Sequence, residues 1–296
     1  MLDYDAVIVG GGPAGLTAGD HLSRAGHRVL LLERAVSGGA LEHVERVDDH
    51  PEFPDGIPGV ELASELAERA AASGLEAREA EVTGIEVFSG TRWVGCDGGR
   101  GWSAAVVVVA AGTRFRKLGI PGEEVLRGRG VIDCVPCDAG FFIGRPVVVC
   151  GSDERALSEA RHLARVGARV TLLARSGTPP AVPGVDVRPG LRLDAVLGTE
   201  RVEGVTVTDE ATGRVETLEV AGVVIRVGSQ PNTEFLEDVA DLDAAGRVVT
   251  DADLATSAPH VLAAGDVRVG SRARVVDAIG DGALAARRAA ALLARG

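Results

Sequence analysis

The 296-residue chain predicts an α/β fold of two three-layer domains, the second inserted in the first, and three observations carry that reading. Apolar residues make up 46% of the chain, aromatics only 3%, and there are 40 glycines, a profile of aliphatic strands and alanine-rich helices packed closely through small residues. Short apolar runs alternate with helix-like stretches, so βαβ units and a mostly parallel sheet follow. The strand–turn–helix–strand pattern occurs twice, at 5–33 and 146–175, which points to a repeated Rossmann-like nucleotide-binding unit rather than a short-period solenoid.

The apolar runs at 5–9, 28–32, 105–111, 146–150, 169–173, 222–227 and 260–264 predict buried strands. Helical patterns cover 14–25, 60–73 and 155–166, and 275–294 reads as one helix interrupted only by Gly280 and Gly282 near its start. Proline and glycine clusters at 112–122 and 228–232 predict the crossovers between the two repeats. The expected division is therefore a first domain of 1–113 plus 243–296 and an inserted domain of 114–242.

Composition excludes several classes of function. Lys and Arg number 31 against 43 Asp and Glu, a net charge of −12 with no basic stripe to override it, so neither nucleic acid nor an anionic membrane is an expected partner. The opening MLDYDAVIVGGG has no basic leader and no window reaches the length of a membrane span, which predicts a cytoplasmic protein. Four cysteines, at 96, 134, 137 and 150, are too few for a secreted disulfide scaffold of this length.

The first turn, VIVGGGPAGL, spells G-x-G-x-x-G through Gly10, Gly12 and Gly15, with Pro13 and Ala14 opening the helix and Glu33 ending the next strand. The first glycine permits the tight turn, the second lets backbone approach a pyrophosphate, and the third lets helix pack on strand, while the helix N-terminus attracts phosphate charge. Glu33 is placed to take ribose hydroxyls. A glycine turn that binds nothing is the alternative.

Cys134 and Cys137 form C-x-x-C in VIDCVPCDAGFF, just before the second strand–turn–helix. Such a pair at a helix start favours the thiolate and carries two electrons as a disulfide. A zinc site would need two more ligands at metal-like spacing, and the other cysteines are isolated, so no metal is expected. Two inert buried cysteines are the other alternative.

HVLAAGDVRVG sets Gly265 and Asp266 at a strand end before the last helix, and there the chain resembles the FAD-binding disulfide reductases. With the cysteine pair added, it resembles the low-molecular-weight thioredoxin reductases over nearly its whole length, through GGGPAGLTAG, SGGAL, RGRGVIDCVPCDAGFF, VGSQPNT and LAAGD in the family's order. The resemblance implies FAD in the first site. It assigns Gly265 and Asp266 to the ribityl–phosphate region, Gly39, Ala40 and Leu41 of SGGAL and Ala111 and Gly112 of VAAGT to the cofactor's surroundings, and Arg34, Asp49, Val82, Arg274, Val275 and Val276 to the same shell. It also implies that Cys137 faces the flavin, Cys134 attacks the substrate disulfide and Asp138 handles protons; Asp138 as a plain helix-start acid steadied by the dipole stands beside that role. A homodimer is expected on the same ground.

Two departures from the family matter. VVVCGSDERAL keeps Gly151 but has Ser152 and Asp153 where the NADPH-binding turn carries glycines. A carboxylate about 4 Å from one phosphate charge costs roughly 4 kcal/mol at an effective dielectric near 20, some three decades in affinity. The family's arginine clamp for a 2′-phosphate is reduced to Arg175, followed by two prolines in LLARSGTPPAVPG, while Arg155 and Arg175 are candidates to offset Asp153. NADPH binding is therefore expected to be weak or absent. Near the flavin, Asp49, His50, Pro51 and Glu52 replace the family's Asn, aromatic and Pro-Gly, so His50 is a candidate acid or base, or else a loop residue facing solvent. Arg274 is followed by Val275 where the family places Arg-Gln, which leaves backbone N–H groups to contact the flavin.

Four readings follow. The first is an FAD-dependent dithiol–disulfide oxidoreductase acting on a thioredoxin-like protein or small disulfide, with electrons from a donor such as ferredoxin. The second is a dithiol oxidase that passes electrons to oxygen, disfavoured because Asp138 stands where that group often has His. The third is a flavin-bound redox sensor, and the fourth an ordinary NADPH thioredoxin reductase.

Overall fold

The structure is a computed structural model and describes residues 2–294 apart from 36, 175, 176 and 178. In chain order the regular elements are β1 (Tyr4–Val9), α1 (Pro13–Arg24), β2 (Val29–Glu33), α2 (Gly59–Ala72), β3 (Glu76–Glu79), β4 (Val82–Phe88), β5 (Thr91–Cys96), β6 (Gly101–Val109), β7 (Thr113–Phe115), β8 (Val131–Ile132), α3 (Val135–Asp138), β9 (Pro146–Cys150), α4 (Glu154–Arg165), β10 (Arg169–Ala174), β11 (Val185–Pro189), β12 (Leu191–Leu197), β13 (Gly204–Asp209), β14 (Val215–Glu219), β15 (Gly222–Ile225), β16 (Ser229–Pro231), β17 (Val261–Ala263) and α5 (Val275–Leu293). They divide into one unit of Met1–Arg114 plus Gln230–Gly296 and a second of Phe115–Ser229.

In the first unit the sheet runs β3-β2-β1-β6-β5-β4, with β17 also on β6. The long β6 serves three partners: it pairs parallel with β1 on one edge, and on the other its first half pairs antiparallel with β5 and its last three residues parallel with β17. Val106 to Val109 are fully buried because both faces are covered, and this is why the strand reads as an unbroken apolar run rather than an alternating one. Ala6 and Ile8 face α1 and α5, while Val7 and Val9 face the side of the β4–β5 hairpin with Ile85 and Val94.

The second unit repeats the plan in smaller form, with sheet order β11-β10-β9-β15-β8 and a separate antiparallel sheet β12-β13-β14. Val147 and Val149 pack under α4 against Ala156, Ala160 and Leu163, and Val148 and Cys150 pack on the other face with Val205 and Val207. Among the described residues no helix forms between β10 and β11, where the prolines stand.

The expected boundary at 242/243 is corrected to 229/230. The stretch after Gln230 is tied into the first unit: Asn232 Nδ2 donates to the Ala111 carbonyl at 2.7 Å, Asn232 N to the Gly112 carbonyl at 3.0 Å, Glu234 pairs with Arg114, and Leu236 is fully buried. No helix of the described residues is long and apolar enough to cross a membrane.

Candidate functional site

Each β–turn–α repeat forms a turn at the carboxyl end of its sheet, where open α/β sheets bind ligands. The two turns are built differently.

In the first, Gly10 has φ +108° and a side chain there would run into the Ala110 carbonyl, while one on Gly15 would run into the carbonyl of Gly10. These two glycines therefore serve the turn and the close approach of α1. Gly12, the N-cap of α1, has nothing within 4 Å of where its Cβ would sit. Open space thus lies before a helix N-terminus that has no side-chain cap and no acidic residue in its first turn. Glu33 is braced beside it, accepting from Gly11 N at 2.6 Å and Arg34 N at 2.8 Å. Segment 37–41 folds back on the turn: Gly38 N donates to the Gly11 carbonyl at 2.9 Å, and a Cβ on Gly39 would lie 3.0 Å from Gly12 Cα. Ala40 is exposed and Leu41 buried.

The C-terminal segment meets the same turn. A Cβ on Gly282 in α5 would strike the Ala14 carbonyl, and one on Gly265 would lie 3.0 Å from Ala14 Cβ, so the two helices and the Gly265–Asp266 turn converge on Ala14. Gly265, at φ +77°, donates its amide to Asp281 Oδ2 at 2.9 Å, and Arg268 grips the same carboxylate at 2.6 and 2.7 Å. Asp266 accepts from Ser271 Oγ at 2.7 Å. Helix α5 opens at Val275 and Val276 after Arg274, again without a side-chain cap, and Arg274 lies 3.8 Å from Asp49. Val82 starts β4 on the same core face as Ala111. His50 packs on Phe53 at 5.2 Å between ring centres and its Nδ1 accepts from Glu52 N at 3.4 Å. An uncapped helix, an acid at the turn and the glycine gap fit the pyrophosphate and ribose of the FAD expected here.

The second turn is closed by its own side chains. Gly151, at φ +155°, remains because a Cβ there would meet the Arg226 carbonyl. Asp153 is the N-cap of α4, and its Oδ1 accepts from Ala156 N at 2.9 Å. The carboxylate thus takes one of the amides that a phosphate would use. Arg155 lies against the Phe115 ring at 4.6 Å and 3.3 Å from Glu159. Arg175 lies outside the described residues.

Cys134 and Cys137 are disulfide-bonded, with Cα atoms 5.3 Å apart. Cys134 caps the single turn of α3, its Sγ accepting from Cys137 N at 3.3 Å; Cys134 is half-buried and Cys137 exposed. Burial, with Asp133 adding to it, raises the Asp138 carboxyl above its ordinary value. Asp138 also stands in the first turn of α3, at the helix start. Cys96 and Cys150 are buried and lie outside the disulfide, and among the described residues no group of three or more His, Cys, Asp or Glu is placed to hold a metal.

Sequence reading missed Asp281, Arg268 and Asn232, which hold the first site through contacts distant in the chain. The only local signal is an acid one residue from Gly282, in the stretch where α5 crosses α1.

A model of the pyridine nucleotide-disulphide oxidoreductases matches residues 4–282. The thioredoxin reductase of Treponema pallidum (strain Nichols) is 36% identical over 305 residues, 98% of this chain and 97% of its own. Among solved structures, Lactococcus lactis thioredoxin reductase (FR conformation) is 32% identical with a TM-score of 0.92, covering 99% of this chain and 100% of that one. A ferredoxin-flavin thioredoxin reductase from Clostridium acetobutylicum is 25% identical with a TM-score of 0.56, over 99% of each chain. With an intact first turn, a bonded cysteine pair and these matches, the chain belongs to the pyridine nucleotide-disulphide oxidoreductase family, as a thioredoxin reductase-like member.

Proposed function

We propose that the protein is an FAD-dependent dithiol–disulfide oxidoreductase that reduces a thioredoxin-like protein or a small disulfide and draws its electrons from a donor other than NADPH. The observation that carries the second half of this reading is the Asp153 cap: the α4 N-terminus already holds a carboxylate where a pyrophosphate would sit. A ferredoxin-flavin thioredoxin reductase among the similar structures supports a low-potential one-electron protein as the donor.

FAD bound at the first turn supplies the two-electron store from which the pair is returned to the dithiol. Gly12 and Ala14 would hold its pyrophosphate, with Gly15 letting α1 come close enough; Glu33 would take its ribose, Gly265 and Asp266 its ribityl–phosphate region, and the α5 amides at Val275 and Val276 would complete the shell, with Asp49, His50, Val82, Ala111 and Gly112 around it. In the reduced pair the Cys134 thiolate attacks the substrate disulfide, forming a mixed disulfide and releasing one substrate thiolate. Cys137 then attacks Cys134 Sγ, which restores the Cys134–Cys137 bond and releases the second thiolate. Two electrons pass to the substrate, and Asp138, held protonated to higher pH by its burial, gives and retakes a proton beside Cys137. The working form is a homodimer.

The test is steady-state reduction of a thioredoxin disulfide by the purified holoenzyme, driven in parallel by NADPH and by chemically reduced ferredoxin. Turnover with ferredoxin and none with NADPH supports the proposal; equal or faster turnover with NADPH overturns it. Reduced flavin that loses its electrons only to oxygen would assign the protein to the dithiol oxidases instead.

A further inference from the structure

The second unit carries a buried cation that the dithiol chemistry does not use. Arg226 follows β15 directly and is 3% exposed. Burying a guanidinium is costly unless every donor is met, so its partners indicate its purpose. Its backbone amide donates to the Cys150 carbonyl at 2.7 Å, at the last residue before the second glycine turn. Its side chain reaches three ways. Nε lies 2.8 Å from Glu159 Oε2 in α4, Nη1 donates to the Ile225 carbonyl at 2.9 Å, and Nη2 donates to the Asp133 carbonyl at 2.6 Å. The guanidinium also lies 3.9 Å from the centre of the Phe115 ring.

The bond to Asp133 sits at a gap in the sheet. β15 and β8 pair only through Val223 with Val131 and Val224 with Ile132. The ladder stops there, and the next carbonyl, that of Asp133, belongs to the peptide that leads into Cys134. A charge-assisted bond from Arg226 takes over where the strand pairing ends, and such bonds are about twice as strong as neutral ones. The Asp133 side chain is fixed from the other side by Arg127 at 2.5 Å. The entry to the redox turn is thus held at both its backbone and its side chain.

We propose that Arg226 is the positioning residue of the cysteine pair, joining the closed second turn and α4 to the backbone that presents Cys134. The proposal rests on the reading of Cys134–Cys137 as a working redox couple. Closing the disulfide confines the segment from Asp133 to Asp138, and a backbone already clamped loses less freedom on closure. Without the clamp the dithiol gains relative to the disulfide. The anionic Glu159 left behind acts the other way, because disfavouring the thiolates destabilises the reduced pair, and the loss of the backbone clamp is the larger effect.

The test is the equilibrium of the holoenzyme with glutathione under nitrogen. Two glutathione thiols are oxidised to one disulfide as the Cys134–Cys137 bond breaks, and their two protons pass to the cysteines. The fraction of each form is read by alkylation and mass spectrometry of the peptide carrying both cysteines. Arg226→Met is expected to shift the constant towards the dithiol by about tenfold, within the range for a lost buried hydrogen bond to a charged group. Arg226→Lys keeps the charge without the forked reach and should fall between, with a shift of about threefold. Glu159→Gln with Arg226→Met removes the opposing charge contribution and should leave the shift as large or larger. If Arg226→Met does not fold, Arg226→Lys alone decides. Folded variants with the wild-type constant overturn the positioning role. A wild-type pair that never exchanges with glutathione removes the redox reading itself, a result distinguishable because it appears before any variant is made.

Discussion

Asp153 Oδ1 and Ala156 N are joined at 2.9 Å, so α4 is capped by its own chain where α1, in the equivalent repeat, begins at a bare glycine. One turn is open at its helix N-terminus and the other is occupied by a carboxylate. Replacing Asp153 with Ala removes the cap and should destabilise the protein by about 1 kcal/mol, whereas Asp153→Gly should cost only a few tenths. Urea unfolding of the two variants checks this. Adding Ser152→Gly to Asp153→Gly should raise NADPH affinity above the wild type, measured by calorimetric titration.

The glycines of the first turn should separate folding from cofactor binding. A Cβ on Gly12 meets no atom within 4 Å and Asp is a good N-cap, so Gly12→Asp apoprotein should unfold at or above the wild-type urea midpoint yet purify colourless. Gly15→Ala drives a methyl into the Gly10 carbonyl and should destabilise even the apoprotein by about 1–3 kcal/mol. The ratio of flavin to protein absorbance and the unfolding midpoint read the two effects independently.

Asp281 holds both the Gly265 amide and the Arg268 guanidinium in a mostly buried setting. Asp281→Ala leaves both without that partner and should destabilise by about 2–4 kcal/mol, with loss of flavin on mild dilution. A variant with wild-type stability and flavin retention would show that the turn is held by packing alone.

Asp138 predicts a pH dependence of stability. Its carboxyl is raised in the folded protein, so the fold disfavours the ionised form; the penalty is fully present above the folded value and absent below the unfolded one. Asp138→Asn should therefore be more stable than wild type near neutral pH, and the gain should shrink as pH falls towards about 4. Chemical unfolding across that range tests the sign, since a gain that grows on acidification would contradict it.

Much of this architecture was legible because it is local. The strands β1, β2, β6, β9, β10 and β15 are buried on both faces and stand out as apolar runs, and each nucleotide turn lies within a few residues of its strand and helix. β12 to β14 were not legible: they form an antiparallel sheet in which buried residues are interrupted by half-buried or exposed ones and β14 has no buried residue, and β3 is wholly exposed. The domain return at Gln230 depends on Asn232 and Glu234 meeting Ala111 and Arg114, contacts more than a hundred residues apart in sequence. Arg226 was invisible for the same reason, its bond to Asp133 spanning 93 positions.

The most direct test of the central claim is an anaerobic titration of the holoenzyme followed by flavin absorbance, with NADPH, NADH and a dithiol added in turn. Bleaching by dithiol, with none by either nicotinamide, is the predicted result. Prompt bleaching by NADPH at stoichiometric concentration would contradict it, because it would mean that the second turn accepts a pyrophosphate despite the Asp153 cap.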